Sequence, residues 1–211
     1  MALALHYGKG SCSLVVHLVL EELGLAFEAV EVDLAAGAQR SDAFRAINPK
    51  GKVPALVTPE GTLTECVAIL EWLLDRHGDG TWLARPGTWA RAKTMEQVAT
   101  LATDVHPAFN RFFHPEHFSD DRAIQAAIKA QGAKSMSDWF AAQDAALAGP
   151  WWSGGAAPTV ADLYFAVIAR WGRWLDPPAT RRPNIEAFLN RLSTRPAVSR
   201  ALAREGITLF S

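Results

Sequence analysis

Cysteine is scarce: Cys12 and Cys66 are the only two in a chain of 211 residues. Two thiols without metal-type spacing exclude a disulfide scaffold and a zinc cluster, and they point to a reducing, cytoplasmic setting. Excess charge is lacking too. The formal net charge is -1, which argues against a nucleic-acid partner, since such proteins present a basic face. No apolar run approaches the roughly 18–20 residues that a membrane span needs. The opening MALALHYGKGSCS has no basic start before its short apolar stretch, so it reads as a first strand and not as a signal peptide. With 49% hydrophobic residues, the chain can fill one large domain or two small ones.

The first 75 or so residues alternate between strand and helix signals. Ala4–Tyr7 reads as a strand closed by the turn Gly8-Lys9-Gly10-Ser11. Leu14, Val15, Leu18, Val19 and Leu23 then recur at helical spacing, with Gly24 as C-cap. Phe27–Val32 alternates with period two. Ser41–Ile47 is a short helix stopped by Asn48-Pro49. Val53–Val57 and Thr62–Thr64 flank Pro59-Glu60-Gly61 as a hairpin, and an apolar helix runs from there to Gly78. The order is βαβ followed by αββα, a small mixed sheet with helices on it.

Beyond a linker over 78–87 the strand signals stop. Helical periodicity predicts segments at about 88–113, 120–148, 160–175, 184–194 and 197–204. Thr159-Val160-Ala161-Asp162 is a capping box ahead of one of them. The expected architecture is α/β plus all-α, with an α/β domain over 1–80 and an all-helical one over 88–211.

Cys12 stands where a strand-to-helix turn ends, so unpaired backbone N–H groups and the helix dipole favour a thiolate there. The plainer reading, a small buried apolar residue, stays open. Ser11, Ser13 and Tyr7 offer hydroxyls nearby. Glu65 and Cys66 open a second helix, a position that binds carboxylates through backbone N–H groups; equally, Glu65 is a helix cap. His114-Pro115-Glu116-His117 invites a metal reading, but the proline breaks helical spacing and no further ligand is evident, so no metal is expected. Phe109, Phe112, Phe113, Trp171 and Trp174 line an apolar site or fill the core.

Taken together and in order, GSCS, NPKGKVPAL, LTECVAILEWLLD, ATDVHPAFNRFF, PTVADLYF and STRPAVSRALAREGI resemble the glutathione transferase superfamily, most nearly its bacterial beta class. The likeness covers essentially the whole chain. It implies a thioredoxin-like N-terminal domain, an all-helical C-terminal domain forming the hydrophobic substrate site, a homodimer, and glutathione as co-substrate for attack on small apolar electrophiles. It implies catalytic roles for Cys12 and His106. Glutathione contacts would come from Ser11, Lys52, Val53, Pro54, Glu65, Cys66, Thr103 and Asp104. In such folds the bond before Pro54 is cis, leaving the Val53 backbone to pair with the cysteinyl unit of glutathione like an added strand residue.

Three positions depart from the family pattern. Cys66 stands where Ser or Gly is usual, Pro107 where a Lys follows the histidine, and 33–37 lacks an expected basic residue. Lys52 or Arg40 would then meet the glycyl carboxylate. The resemblance puts Cys12 and Cys66 near one pocket but at opposite ends of the tripeptide, so a disulfide between them, though possible, is the less favoured state. Two rival functions remain: glutathione-dependent thiol–disulfide exchange through Cys12, and a non-catalytic ligand-binding protein.

Overall fold

The computed structural model describes residues 3–211, so the first two residues of the opening strand stretch lie outside the described residues. In chain order the regular elements are β1 (Leu3–Tyr7), α1 (Leu14–Glu22), β2 (Phe27–Glu31), α2 (Asp42–Ile47), β3 (Ala55–Thr58), β4 (Gly61–Thr64) and α3 (Cys66–His77). Then come α4 (Trp89–Thr100), a π turn (Leu101–Val105), α5 (His106–Phe113), α6 (Arg122–Ala146), α7 (Val160–Trp171), α8 (Pro183–Ser193) and α9 (Pro196–Glu205). Two compact units result. One holds the chain up to Ala92 together with Leu192–Thr208, the other Lys93–Arg191 with Leu209–Ser211.

The first unit is built on a four-stranded sheet in the order β2-β1-β3-β4. β1 runs parallel to β2, with Leu5 opposite Ala29, and antiparallel to β3, with Leu5 opposite Leu56. A parallel pair needs a crossover, and α1 supplies it. Leu14 through Glu21 are all buried, which explains why α1 reads as apolar all round. Ser41 caps α2 by accepting the Phe44 N–H at 3.2 Å. The strand expected from Val53 starts at Ala55 instead. Pro54 has no N–H to give a ladder, and the Val53–Pro54 bond is cis. A second cis bond, Asp176–Pro177, had no signal in the sequence.

α9 belongs to this unit and lies along α1. Arg200 meets Glu21 at 2.7 Å, and Arg195 grips Glu22 with two N–H groups at 2.6 and 2.8 Å. Arg91 is buried against α3, donating to Asp75 at 2.7 and 2.9 Å and to Glu71 at 2.7 Å.

In the second unit every residue of α7 is buried. The expected capping box is present: Asp162 Oδ2 accepts the Thr159 N–H at 2.7 Å, and Oδ1 accepts the Ser153 N–H at 3.0 Å. Around α7, Phe140, Phe165 and Phe188 form the aromatic centre. Gly132 lets α5 and α6 close together, since a Cβ there would lie 3.1 Å from the Phe112 nitrogen. The single helix expected over 88–113 is broken. Pro107 cannot donate to a carbonyl four residues back, and its ring would collide with that carbonyl. The chain widens just ahead of it, and the His106 N–H bonds Leu101 O across the π turn. No described helix is long and apolar enough to cross a membrane.

Candidate functional site

The turn from β1 to α1 is held by its serines. Ser13, fully buried, accepts the Gly8 N–H at 3.0 Å and donates to Gly8 O at 3.1 Å. The Ser11 hydroxyl lies 2.8 Å from that of Ser13 and accepts the Ser13 N–H at 3.2 Å. Tyr7 packs its ring on His17 at 5.5 Å, and burial raises its phenol pKa. Of the four side chains that the sequence offers around the turn, both serines are tied to the loop itself and Tyr7 lies in the interior. Cys12 differs from all of them.

Cys12 is half-buried, and its Sγ donates to the Val53 carbonyl at 3.6 Å. Its pKa is lowered. The main cause is a hydrogen bond from the Cys66 thiol, aided by the backbone N–H groups of Cys12 and Ser13; burial and the Glu65 carboxylate oppose it.

Val53 and Pro54 therefore sit directly beside Cys12. Lys52 is solvent-exposed, and its carbonyl accepts from Asn48 Nδ2 at 2.5 Å. Glu65 is the N-cap of α3 and has φ 72°, the one described non-glycine residue with positive φ. Such a backbone costs about 1–3 kcal/mol and persists where surrounding structure imposes it. The first α3 hydrogen bond runs from Ile69 N–H to Glu65 O at 3.0 Å, so the amides ahead of it have no intrahelical acceptor. The Glu65 carboxylate meets Lys50 Nζ at 2.6 Å, and that ammonium also reaches Thr64 Oγ1 at 3.1 Å. Lys50 is thus a charged member of this cluster that pattern reading passed over in favour of Lys52. The signal was present, for Lys50 stands two residues from Lys52 in the same NPKGK segment.

Cys66, the first residue of α3, donates its thiol to Cys12 O at 3.6 Å. The sequence reading placed these two cysteines near one pocket but at opposite ends of the tripeptide; in the fold they touch, because the turn into α1 and the start of α3 lie side by side.

His106, Thr103 and Asp104 belong to the second unit. The His106 ring meets Trp171 edge-on at 4.8 Å. Thr103 donates to Ala99 O at 2.9 Å, and Asp104 is exposed on the π turn. Among the aromatics weighed as pocket or core, Phe109 and Trp171 are core, while Phe113 and Trp174 are exposed. His114, Glu116 and His117 come within 4.8 Å of one another on the surface, closer than the interrupted helix spacing implied.

Two models of known families match in sequence order: glutathione S-transferase, N-terminal domain, over residues 3–75, and glutathione S-transferase, C-terminal domain, over 99–196. Glutathione S-transferase GstA of Escherichia coli O157:H7 is 35% identical over 96% of this chain and 98% of its own. A sphingomonad glutathione S-transferase solved in complex with glutathione superposes with a TM-score of 0.83, at 35% identity over 97% of this chain and all of that one. The bacterial beta class enzyme of Sphingomonas chungbukensis gives 0.83 at 33% identity, covering 97% and 100%. The chain is an enzyme of the glutathione S-transferase family and of bacterial beta-class type.

Proposed function

We propose that the chain conjugates the thiolate of glutathione to small apolar electrophiles. The observation that carries this reading is the Cys12 thiol at the turn into α1, 3.6 Å from the Val53 carbonyl and with its pKa lowered first by the Cys66 side chain and then by the Cys12 and Ser13 amides. A field that stabilises one thiolate stabilises another brought beside it. The Val53 backbone takes the cysteinyl unit of glutathione as an added strand residue. The amides opening α3 take the γ-glutamyl carboxylate, and Glu65 takes its ammonium. Lys52 or Arg40 supplies the cation for the glycyl carboxylate, in place of the basic residue absent from 33–37. Ser11 shapes the turn that presents Cys12. On the resemblance alone, His106, Thr103 and Asp104 are further ligand contacts. The same resemblance supports a homodimer working in the cytoplasm, with its apolar site in the helical domain.

A thiol with pKa near 8.5 is only a few per cent ionised at neutral pH. Lowering it by about two units corresponds to roughly 2.7 kcal/mol, within the reach of a helix terminus and a few hydrogen bonds. Ultraviolet titration of the thiolate in the binary complex tests this. Bound glutathione that ionises at the same pH as free glutathione sinks the reading.

The depressed Cys12 thiol also favours a second reading, glutathione-dependent thiol–disulfide exchange. It predicts that Cys12→Ala abolishes reduction of small disulfides; retained turnover eliminates it. Steady-state turnover with a panel of electrophiles separates both readings from a binder that holds ligand without converting it.

A further inference from the structure

Conjugation does not use the Cys66 thiol, yet that thiol lies against Cys12. Cys66 Sγ donates to the Cys12 carbonyl at 3.6 Å, while Cys12 Sγ donates to the Val53 carbonyl at 3.6 Å. Cys66 is the first residue of α3 and Cys12 lies in the turn two residues before α1, both in the same compact unit, so their approach is a property of that unit alone. Both are reduced, and no other cysteine exists in the chain to compete. A helix start favours the thiolate of each.

We propose that Cys66 is a resolving thiol: a mixed disulfide between Cys12 and glutathione is discharged by Cys66, closing a Cys12–Cys66 disulfide. The proposal rests on the glutathione reading above and deepens it. The oxidant is a small disulfide, here oxidised glutathione. The Cys12 thiolate attacks one of its sulfurs; the S–S bond breaks and one glutathione thiolate leaves. Cys66 then gives up its proton and its sulfur attacks Cys12 Sγ. The mixed disulfide breaks, and the second glutathione thiolate departs, taking up a proton. Two electrons pass from the protein dithiol to oxidised glutathione, yielding two molecules of glutathione and one intramolecular disulfide. Excess reduced glutathione reverses both steps. The lowered Cys12 pKa suits it to be the sulfur that attacks oxidised glutathione first and, in reverse, the thiolate that leaves last.

The test treats the full-length protein with oxidised glutathione, or with bis(2-hydroxyethyl) disulfide, which carries no γ-glutamyl or glycyl group. Reaction is stopped by alkylation and read by intact mass and non-reducing peptide mapping. Wild type is expected to lose two hydrogens and yield a Cys12–Cys66 linked peptide. Cys66→Ser is expected to stop at a gain of one glutathionyl group on Cys12, and Cys12→Ser to gain neither, with circular dichroism confirming that both variants fold. Wild type that stops at the mixed disulfide, as Cys66→Ser does, overturns the proposal, and so does wild type inert to both reagents. Closure with the hydroxyethyl reagent but not with oxidised glutathione upholds Cys66 as resolving thiol and defeats the glutathione reading instead.

Discussion

Glu205 meets His17 at 2.9 Å with both side chains wholly buried, although 188 residues separate them in the chain. Its other oxygen accepts the Gly10 N–H at 2.7 Å. A carboxylate only accepts, so His17 Nδ1 is the donor. One carboxylate on α9 thereby fixes both the interior of α1 and the turn that presents Cys12.

Removing that carboxylate takes the Glu205 acceptor from the buried His17 Nδ1 and from the Gly10 N–H. Glu205→Ala is expected to cost about 3–5 kcal/mol, the range for breaking a buried pair, read as a lower urea midpoint. Because the Gly10 turn loosens, the Cys12 thiol is also expected to become more reactive toward bulky alkylating reagents. A variant as stable as wild type would show that Glu205 is dispensable to the fold.

The Cys12 pKa is lowered chiefly by the neighbouring Cys66 side chain, whose thiol turns toward Sγ once Cys12 is a thiolate. Withdrawing that donor raises the pKa. The pH profile of Cys12 alkylation by iodoacetamide is therefore expected to have its midpoint below that of free cysteine in wild type. In Cys66→Ala the midpoint moves upward. A midpoint unmoved by the substitution assigns the effect to the helix amides instead.

Glu65→Gly separates fold from ligand binding. Glycine accepts φ 72° without strain, and the lost Lys50 contact is an exposed ion pair worth about 0–1 kcal/mol. Stability is expected to stay within about 1 kcal/mol of wild type. Glutathione affinity, measured by calorimetry, is expected to fall at least about tenfold, since a charge-assisted contact is worth about 1.5–3 kcal/mol. Unchanged affinity removes Glu65 from the site.

Asp162 is fully buried and accepts from both Thr159 and Ser153. Asp162→Ala is expected to destabilise by about 2–3 kcal/mol, one cap plus one buried unpaired donor, as seen in thermal or urea unfolding. Asp162→Asn, which keeps one acceptor oxygen, should lie between.

Short-range patterns carried much of this structure. The β1 to α1 turn, the Ser41–Ile47 helix and the Thr159–Asp162 box are each written within a few residues, where periodicity and cap chemistry act. What escaped was long-range. Periodicity finds the apolar face of α9 but cannot say that α1 receives it, nor that His17 has a partner near the other end of the chain. Lys50 and Lys52 look alike in sequence; only the fold turns one of them toward Glu65. The π turn had a visible cause in Pro107, but a proline inside an apolar run allows a kink, a break or a register change. Cys66 was legible as an unusual residue. Its closeness to Cys12 depends on how two helix starts converge, which no local pattern encodes.

α7 has no solvent-facing side, and water reaches its backbone only if the packing around it opens. Its amide protons would then exchange with deuterium only when the surrounding unit unfolds as a whole, so the slowest-exchanging stretch of that unit should coincide with α7 and give a direct reading of its global stability.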